Sequence, residues 1–168
     1  MGITTIKACA AVLFLLAHTS AFAQGFRDWR FGMSKAEVTA VGDATRYYRF
    51  KNGDLGAQGE PFEDRLVSIS FYFGDGKLTR VMLIPYMGTD PAKALDAWQD
   101  VYTHMKRRCS VGELHESLAA FEAATAKLAQ GQRHQMGCHP MPSGVRLWAS
   151  ALRTADGSLM ISVNYGEP

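Results

Sequence analysis

The side chains with the clearest potential for chemistry are thiols and imidazoles in the second half of the chain. Thiolate and imidazole groups are the usual ligands of tetrahedral zinc, and here they stand at Cys109, His115, His134, Cys138 and His139. Their spacings, C-x5-H and H-x3-C-H, match no familiar zinc-binding pattern. Gln135 occupies the place of the first cysteine in a C-x-x-C-H haem-attachment motif. We therefore predict neither a metal nor another cofactor.

Sequence motifs of common hydrolases are also missing. The chain has no G-x-S-x-G, S-x-x-K or H-E-x-x-H segment. Asp96 and Asp100 are four residues apart on a predicted helix, opposite its apolar stripe, and we interpret them as solvated acids rather than a glycosidase pair. We predict no catalytic residue, so an enzyme is the less favoured class.

The first 23 residues are typical of a cleavable signal peptide. Lys7 precedes an apolar run from Ala8 to Ala17, and Ala21-Phe22-Ala23 supplies a small-x-small cleavage site. The run is too short to span a bilayer, which takes about 20 residues. We predict cleavage after Ala23 and export to the periplasm or the medium. The mature chain, residues 24–168, is then one domain without a transmembrane segment.

Export decides how the cysteines are interpreted. Cys9 leaves with the leader, so Cys109 and Cys138 remain, and an even number of cysteines in an exported protein indicates a disulfide. The alternative is a reactive thiolate at Cys109, favoured by the cationic residues that precede it. A disulfide consumes that thiol, and we predict the pair Cys109–Cys138.

The charge of the mature chain is nearly balanced. The net charge of +2 includes Lys7, so removal of the leader leaves +1. A nucleic-acid-binding face normally leaves a larger basic excess, and we expect no nucleic-acid partner. The densest basic run, Lys106-Arg107-Arg108, is predicted to be a solvated helix end rather than an anion site.

Periodicity and turn residues predict an α+β domain. The capping box Ser34-Lys35-Ala36-Glu37 opens a short helix that stops at Gly42. Alternation over Leu66 to Phe73, followed by Gly74-Asp75-Gly76, predicts a hairpin whose second strand runs to Pro85. Asp90-Pro91 begins a helix whose apolar stripe is Leu95, Trp98, Val101, Tyr102 and Met105.

The remaining elements complete the order α-β-β-β-α-α-β-β. They are a weak strand over Ala44 to Phe50, a second long helix from Ser110 to about Gly131 with the stripe Leu114, Leu118, Phe121 and Leu128, and a final hairpin of Val145 to Arg153 and Ser158 to Tyr165. Residues 51–61 and 132–144 are predicted loops. We expect an antiparallel sheet of about five strands, with the helices packed on one face.

Trp148 is a candidate partner contact. It shares a strand face with Arg146 and Ser150, opposite Leu147 and Ala149. A large aromatic side chain on a polar face can anchor a binding partner. The alternative is that Trp148 lies under a helix.

Two segments resemble a family of small bacterial envelope proteins. Phe31 to Val38, with Gly42 after it, resembles the G-M-[ST]-x-x-[EQ]-V helix opening of the small lipoprotein of the outer-membrane β-barrel assembly machine and of the β-lactamase-inhibitor-protein fold. Ile69 to Leu78 is similar to the hairpin that follows that helix. The resemblance implies a periplasmic α+β binding module and assigns no functional residue.

These observations favour a non-enzymatic module that binds another envelope or secreted protein. Inhibition of an extracytoplasmic hydrolase is a narrower alternative that rests on fold analogy. The competing class is a small-ligand carrier or an enzyme with a pocket between helices and sheet. A pocket with convergent polar groups and shifted pKa values would favour the competing class.

Overall fold

The structure, a computed structural model, describes residues 25–109, 133–138 and 144–167. These residues form two α-helices, one turn of 3-10 helix, a seven-stranded sheet and a separate two-stranded hairpin. The helices are α1 (Lys35–Thr39) and α2 (Pro91–Arg108), and the 3-10 turn is Ala44–Arg46. The strands are β1 (Gly25–Phe26), β2 (Trp29–Arg30), β3 (Tyr47–Arg49), β4 (Leu55–Phe62), β5 (Arg65–Gly74), β6 (Lys77–Gly88), β7 (His134–Gly137), β8 (Arg146–Arg153) and β9 (Leu159–Gly166).

The predicted α+β class is confirmed, but the predicted number of strands is wrong. The main sheet is antiparallel throughout, in the order β3-β4-β5-β6-β9-β8-β7. It consists of two antiparallel runs, β3 to β6 and β7 to β9, joined where β6 pairs with β9. Strands β1 and β2 form the separate hairpin.

The prediction of an exposed loop over residues 51–61 is wrong, because β4 begins at Leu55 and lies between β3 and β5. The glycines that suggested a loop have other uses. Gly56 lacks a Cβ that would collide with the ring of Tyr48. Gly59 has a φ of 76° beside a register shift between Ala57 and Glu60, which marks a bulge. These glycines therefore shape the strand without ending it.

The two helices and the two hairpins predicted within the described residues are confirmed. The Ser34–Glu37 capping box is formed, with Val38 buried, and Gly42 has a φ of 76° just after α1. Asp90 caps α2 by accepting hydrogen bonds from the amides of Ala92 and Lys93. The two predicted hairpins are β5-β6 and β8-β9.

The core lies on one face of the main sheet, which we call the inner face. Helix α2 packs there against β6, β8 and β9, and α1 packs against β6. From the predicted stripe of α2, Trp98, Val101 and Met105 are buried. They are joined by inward strand residues such as Ile69, Phe71, Val81, Leu83, Ile161 and Val163, all fully buried. The sheet therefore contributes one continuous apolar layer.

Several sequence predictions fall outside the described residues. They are the leader over residues 1–23, the whole helix predicted from Ser110 to about Gly131, and two of the metal-ligand candidates, His115 and His139. Among the described helices, none combines the length and apolar character that crossing a membrane requires.

Candidate functional site

The sheet face opposite α1 and α2, which we call the outer face, carries Trp148. Register pairing aligns Trp148 with Asn164 on β9 and with Gly137 on β7. As predicted, Trp148 points away from buried Leu147 and Ala149. Its half-buried ring lies against Gly166, where a Cβ would come within 3.0 Å of the ring. The role of Trp148 as a partner contact stays a prediction.

The outer face combines aromatic side chains, arginines and small polar groups. The guanidinium of Arg80 stacks 3.7 Å from the ring centroid of Tyr72, and that of Arg146 lies 5.7 Å from the ring centroid of Trp148. Two residues beyond Trp148 on the same face, the buried hydroxyls of Ser150 and Ser162 are 3.0 Å apart. This polar layer is unlike the apolar inner face.

Exposed hydrophobic side chains are concentrated on the outer face. Leu66, Met87 and Tyr48 are 72%, 57% and 40% exposed. Strand alternation places all three on this side, since Val67, Tyr86 and Tyr47 beside them point inward. The other large exposed hydrophobic among the described residues, Phe50, contacts Tyr48 edge to face.

The predicted cysteine pair is close in space. Cys109 follows the last turn of α2, and the amide of Cys138 donates to the carbonyl of Leu147 at 3.1 Å. The Cα atoms of Cys109 and Cys138 are 5.7 Å apart, a distance that a disulfide spans. This geometry permits the bond, whose formation stays a prediction.

The metal and carboxylate candidates do not form a site in the described part of the chain. No group of three or more potential metal ligands is found in these residues. His134 lies edge to face with Trp98, at 5.9 Å between ring centroids. Asp96 and Asp100 both pair with Arg65 of β5. The two acids therefore tie α2 to the sheet.

A second candidate site, which the sequence did not reveal, is a cleft of about 160 Å³ beside the C-terminal half of α2. We call it the His104 cleft, and it is lined by residues that include Arg27, Phe62, Glu63, His104, Arg107 and Arg108. These residues come from the β1-β2 turn, the end of β4 and the turn after it, and α2. The cleft therefore lies on the inner side of the sheet.

A hydrogen-bonded chain runs behind the His104 cleft. The Nε2 atom of His104 is 2.5 Å from the Tyr165 hydroxyl, and its Nδ1 atom is 2.8 Å from Oε1 of Glu63. Burial lowers the pKa of His104, so we assign a neutral imidazole near pH 7. Because the Glu63 carboxylate can only accept, Nδ1–H donates to Glu63 and Nε2 accepts from Tyr165.

The hydrogen-bonded series of Tyr165, His104 and Glu63 does not activate Tyr165 as a nucleophile. A carboxylate, an imidazole and a hydroxyl in series can serve that purpose. However, burial raises the pKa of Tyr165 to about 12, which disfavours the phenolate that would attack. The hydrogen bond from Arg107 lowers the pKa of Glu63 and holds it as a carboxylate. These hydrogen bonds instead hold the side chains of Glu63 and Arg107 in position.

A buried carboxylate, that of Glu60, holds the Arg27 side of the cleft in place. Glu60, only 2% exposed, pairs with Arg27 and, at 2.6 Å, with Arg46. Arg27 also donates from Nη2 to the carbonyl of Pro61 at 2.7 Å. These bonds hold the Arg27 guanidinium beside the cleft.

Sequence reasoning missed this cleft because its residues are far apart along the chain. One signal was available: His104 falls three residues after Val101, on the apolar stripe of α2. A histidine at a buried helical position needs polar partners, which the sequence alone does not identify. The predicted basic run Lys106-Arg107-Arg108 is an exposed helix end, as expected, but Arg107 also pairs with Glu63, and both Arg107 and Arg108 line the cleft.

Comparison with known proteins gives no further assignment. No protein-family model matches the chain, and neither the curated proteins nor the solved structures include a significant match to it.

Proposed function

We propose that this protein is an exported, non-enzymatic module that binds another envelope or secreted protein through its outer face. The observation that carries the proposal is the concentration of exposed Tyr48, Leu66 and Met87 on the sheet face opposite the described helices. Exposed apolar groups gathered on one surface are typical of protein-interaction sites.

The arrangement of the outer face supports a protein partner over a small ligand. Tyr48 and Trp148 belong to the same row across the sheet, on β3 and β8, which are five strand spacings apart. At about 4.8 Å per spacing, they are about 24 Å apart. Aromatic residues and arginine are the types most often found at the energetic centres of protein interfaces.

Charge on the outer face favours an acidic partner. Arg80 and Arg146 belong to its strands, whereas the described strand residues that point to this side include no aspartate or glutamate. A surface with carboxylates around an apolar centre would complement the two guanidinium groups. We therefore expect an acidic protein surface as the partner.

Export and the disulfide are parts of the same proposal, and they rest on the sequence. The leader over residues 1–23 directs the chain to an oxidising space, where Cys109 and Cys138 would join. The 5.7 Å separation of their Cα atoms supports this pairing.

Site-specific photocrosslinking in an envelope extract of the source bacterium tests the proposal. A photoreactive amino acid replaces Leu66 or Met87 on the outer face, and Gln99, exposed on α2, is the matched control position. We expect one partner protein to crosslink from both outer-face positions and not from position 99. Arg80→Glu should reduce this product, while Lys93→Glu, a charge reversal on α2, should leave it unchanged.

Three results would contradict the proposal. Equal crosslinking from position 99 would show that the contact is not confined to the outer face. Products that contain only two copies of this chain would make the surface a self-association site. No product from either outer-face position would remove the support for a protein partner.

A further inference from the structure

The backbone is strained at two residues of the His104 cleft. Three non-glycine residues in the described ranges have positive φ angles: Arg27 at 55°, Glu63 at 50° and Asp75 at 48°. Asp75 precedes Gly76 in a hairpin turn where Asp-Gly is a preferred pair. Arg27 and Glu63 also open two-residue hairpin turns, which take a positive φ at this position, but they belong to residue types that rarely adopt it, and both line the cleft.

Such strain is retained when the surrounding contacts compensate for it, and it recurs at functional sites. Here the compensation comes from side chains. Arg27 reaches Glu60 and the Pro61 carbonyl, and Glu63 reaches His104 and Arg107. The two turns therefore direct charged groups toward the same space.

The His104 cleft is cationic. Its lining holds the guanidinium groups of Arg27, Arg107 and Arg108 and the carboxylate of Glu63. Behind the lining, Glu60 is shared by Arg27 and Arg46, so these four arginines and two carboxylates leave a charge of +2 with His104 neutral. Among the described residues, Arg27 makes two side-chain hydrogen bonds and Arg107 makes one, out of the five N–H donors of each guanidinium, and the two side chains are 43% and 57% exposed. Arg108 has no carboxylate partner among the described residues.

We propose that the His104 cleft binds a phosphate group between Arg27, Arg107 and Arg108. Guanidinium groups bind phosphate oxygens through paired hydrogen bonds, and a dianion matches the charge of the lining. A volume of about 160 Å³ is small compared with pockets for drug-sized ligands. The cleft therefore takes a free phosphate or the phosphate end of a larger molecule. This inference is independent of the outer-face proposal.

Titration calorimetry of the mature, oxidised protein with inorganic phosphate tests the site. Arg108→Gln removes a cleft cation without breaking a described ion pair, and we expect it to weaken binding about tenfold, the loss of one charge-assisted contact. Lys106→Gln is the matched control, because Lys106 is on the same helical turn but does not line the cleft. Its effect should be less than about twofold, as for a distant screened charge. Equal urea midpoints would show that both variants fold.

Nuclear magnetic resonance locates the bound phosphate. Added phosphate should shift the imidazole resonances of His104 and leave the indole N–H of Trp148 unmoved. Glycerol 3-phosphate distinguishes the two sources of the group: tighter binding than inorganic phosphate indicates a phosphate monoester, and weaker binding indicates the free ion.

The proposal is overturned if the wild-type protein shows no saturable binding at millimolar phosphate. It is equally overturned if Lys106→Gln weakens binding as much as Arg108→Gln, because the effect would then be one of net charge. Movement of Trp148 without His104 would place the anion outside the cleft.

Discussion

Replacing Tyr165 with phenylalanine tests the buried chain from Tyr165 through His104 to Glu63. The substitution keeps the ring, which packs against Phe26 with 4.6 Å between centroids, and deletes only the hydroxyl. The Nε2 atom of His104 then loses its donor at a residue that is 8% exposed. An acceptor left without a partner at such a site costs about 1–3 kcal/mol, so Tyr165→Phe should lower the free energy of unfolding by that amount near pH 7.

The difference between the two proteins should shrink in alkali. An unfolded tyrosine has a pKa of about 10, whereas burial raises the pKa of Tyr165 to about 12 in the folded protein. Between these values the folded state holds a proton that the unfolded state has lost, so the stability of the wild type falls as the pH rises. This loss amounts to about 2.3 kcal/mol at pH 12 and is absent from the phenylalanine variant. Tyr47 and Tyr72, whose pKa values burial also raises, remain in both proteins and cancel in the difference.

The assay is urea unfolding of both proteins at a series of pH values from neutrality to the highest at which unfolding is reversible. Tyr48→Phe is the matched control, since it removes an exposed hydroxyl and should change the free energy of unfolding by less than about 0.5 kcal/mol. A difference between wild type and Tyr165→Phe that stays constant above pH 10 would refute the assignment of a buried, protonated phenol. A negligible difference at pH 7 would refute the hydrogen bond to His104.

Three further outcomes follow from the structure. Replacing both Cys109 and Cys138 with serine should lower the free energy of unfolding by up to about 3.6 kcal/mol in urea titrations, and an intact mass unchanged by reductant would contradict the disulfide. Glu60→Gln should destabilise by about 3 kcal/mol in thermal unfolding because Arg27 and Arg46 lose a buried partner, and a loss under 1 kcal/mol would show that solvent replaces the pair. Stability should fall as the pH drops below about 6.5, because the unfolded state then takes up a proton on the His104 imidazole. In the folded state burial disfavours that protonation, and the groups that face His104 are Glu63, Tyr165, Arg107 and Arg108. Stability should fall further below about 4.5 as Glu63 is protonated, and His104→Gln should remove only the first decline in a series of urea titrations over pH.

Sequence periodicity predicted the elements that are long and regular. The β5-β6 hairpin, α2 and the β8-β9 hairpin each contain several apolar residues spaced at the period of the element, and those residues are buried in the core. Strands β1, β2 and β7 have two to four residues, too few to show a period. They form because segments beside them in the fold supply backbone hydrogen-bond partners, and the local sequence pattern does not reveal those partners.

Strand β4 was missed for a different physical reason. Glycine favours loops when nothing else constrains the backbone, but it also fits wherever a side chain would collide. At Gly56 the ring of Tyr48 occupies the space that a Cβ would need, so a neighbouring strand decides the structure. A single sequence does not distinguish these two uses of glycine.

The two proposed sites share strand β9 but should act independently. Tyr165 points inward toward His104, and the adjacent Asn164 points outward between Met82 and Trp148. Ligands on the two sides would interact only if β9 moved, yet β9 is paired along both edges and buried over most of its length. A close-packed central strand resists such displacement. Phosphate affinity should therefore be unchanged by outer-face substitutions that conserve charge, such as Arg80→Lys, even where these abolish partner crosslinking.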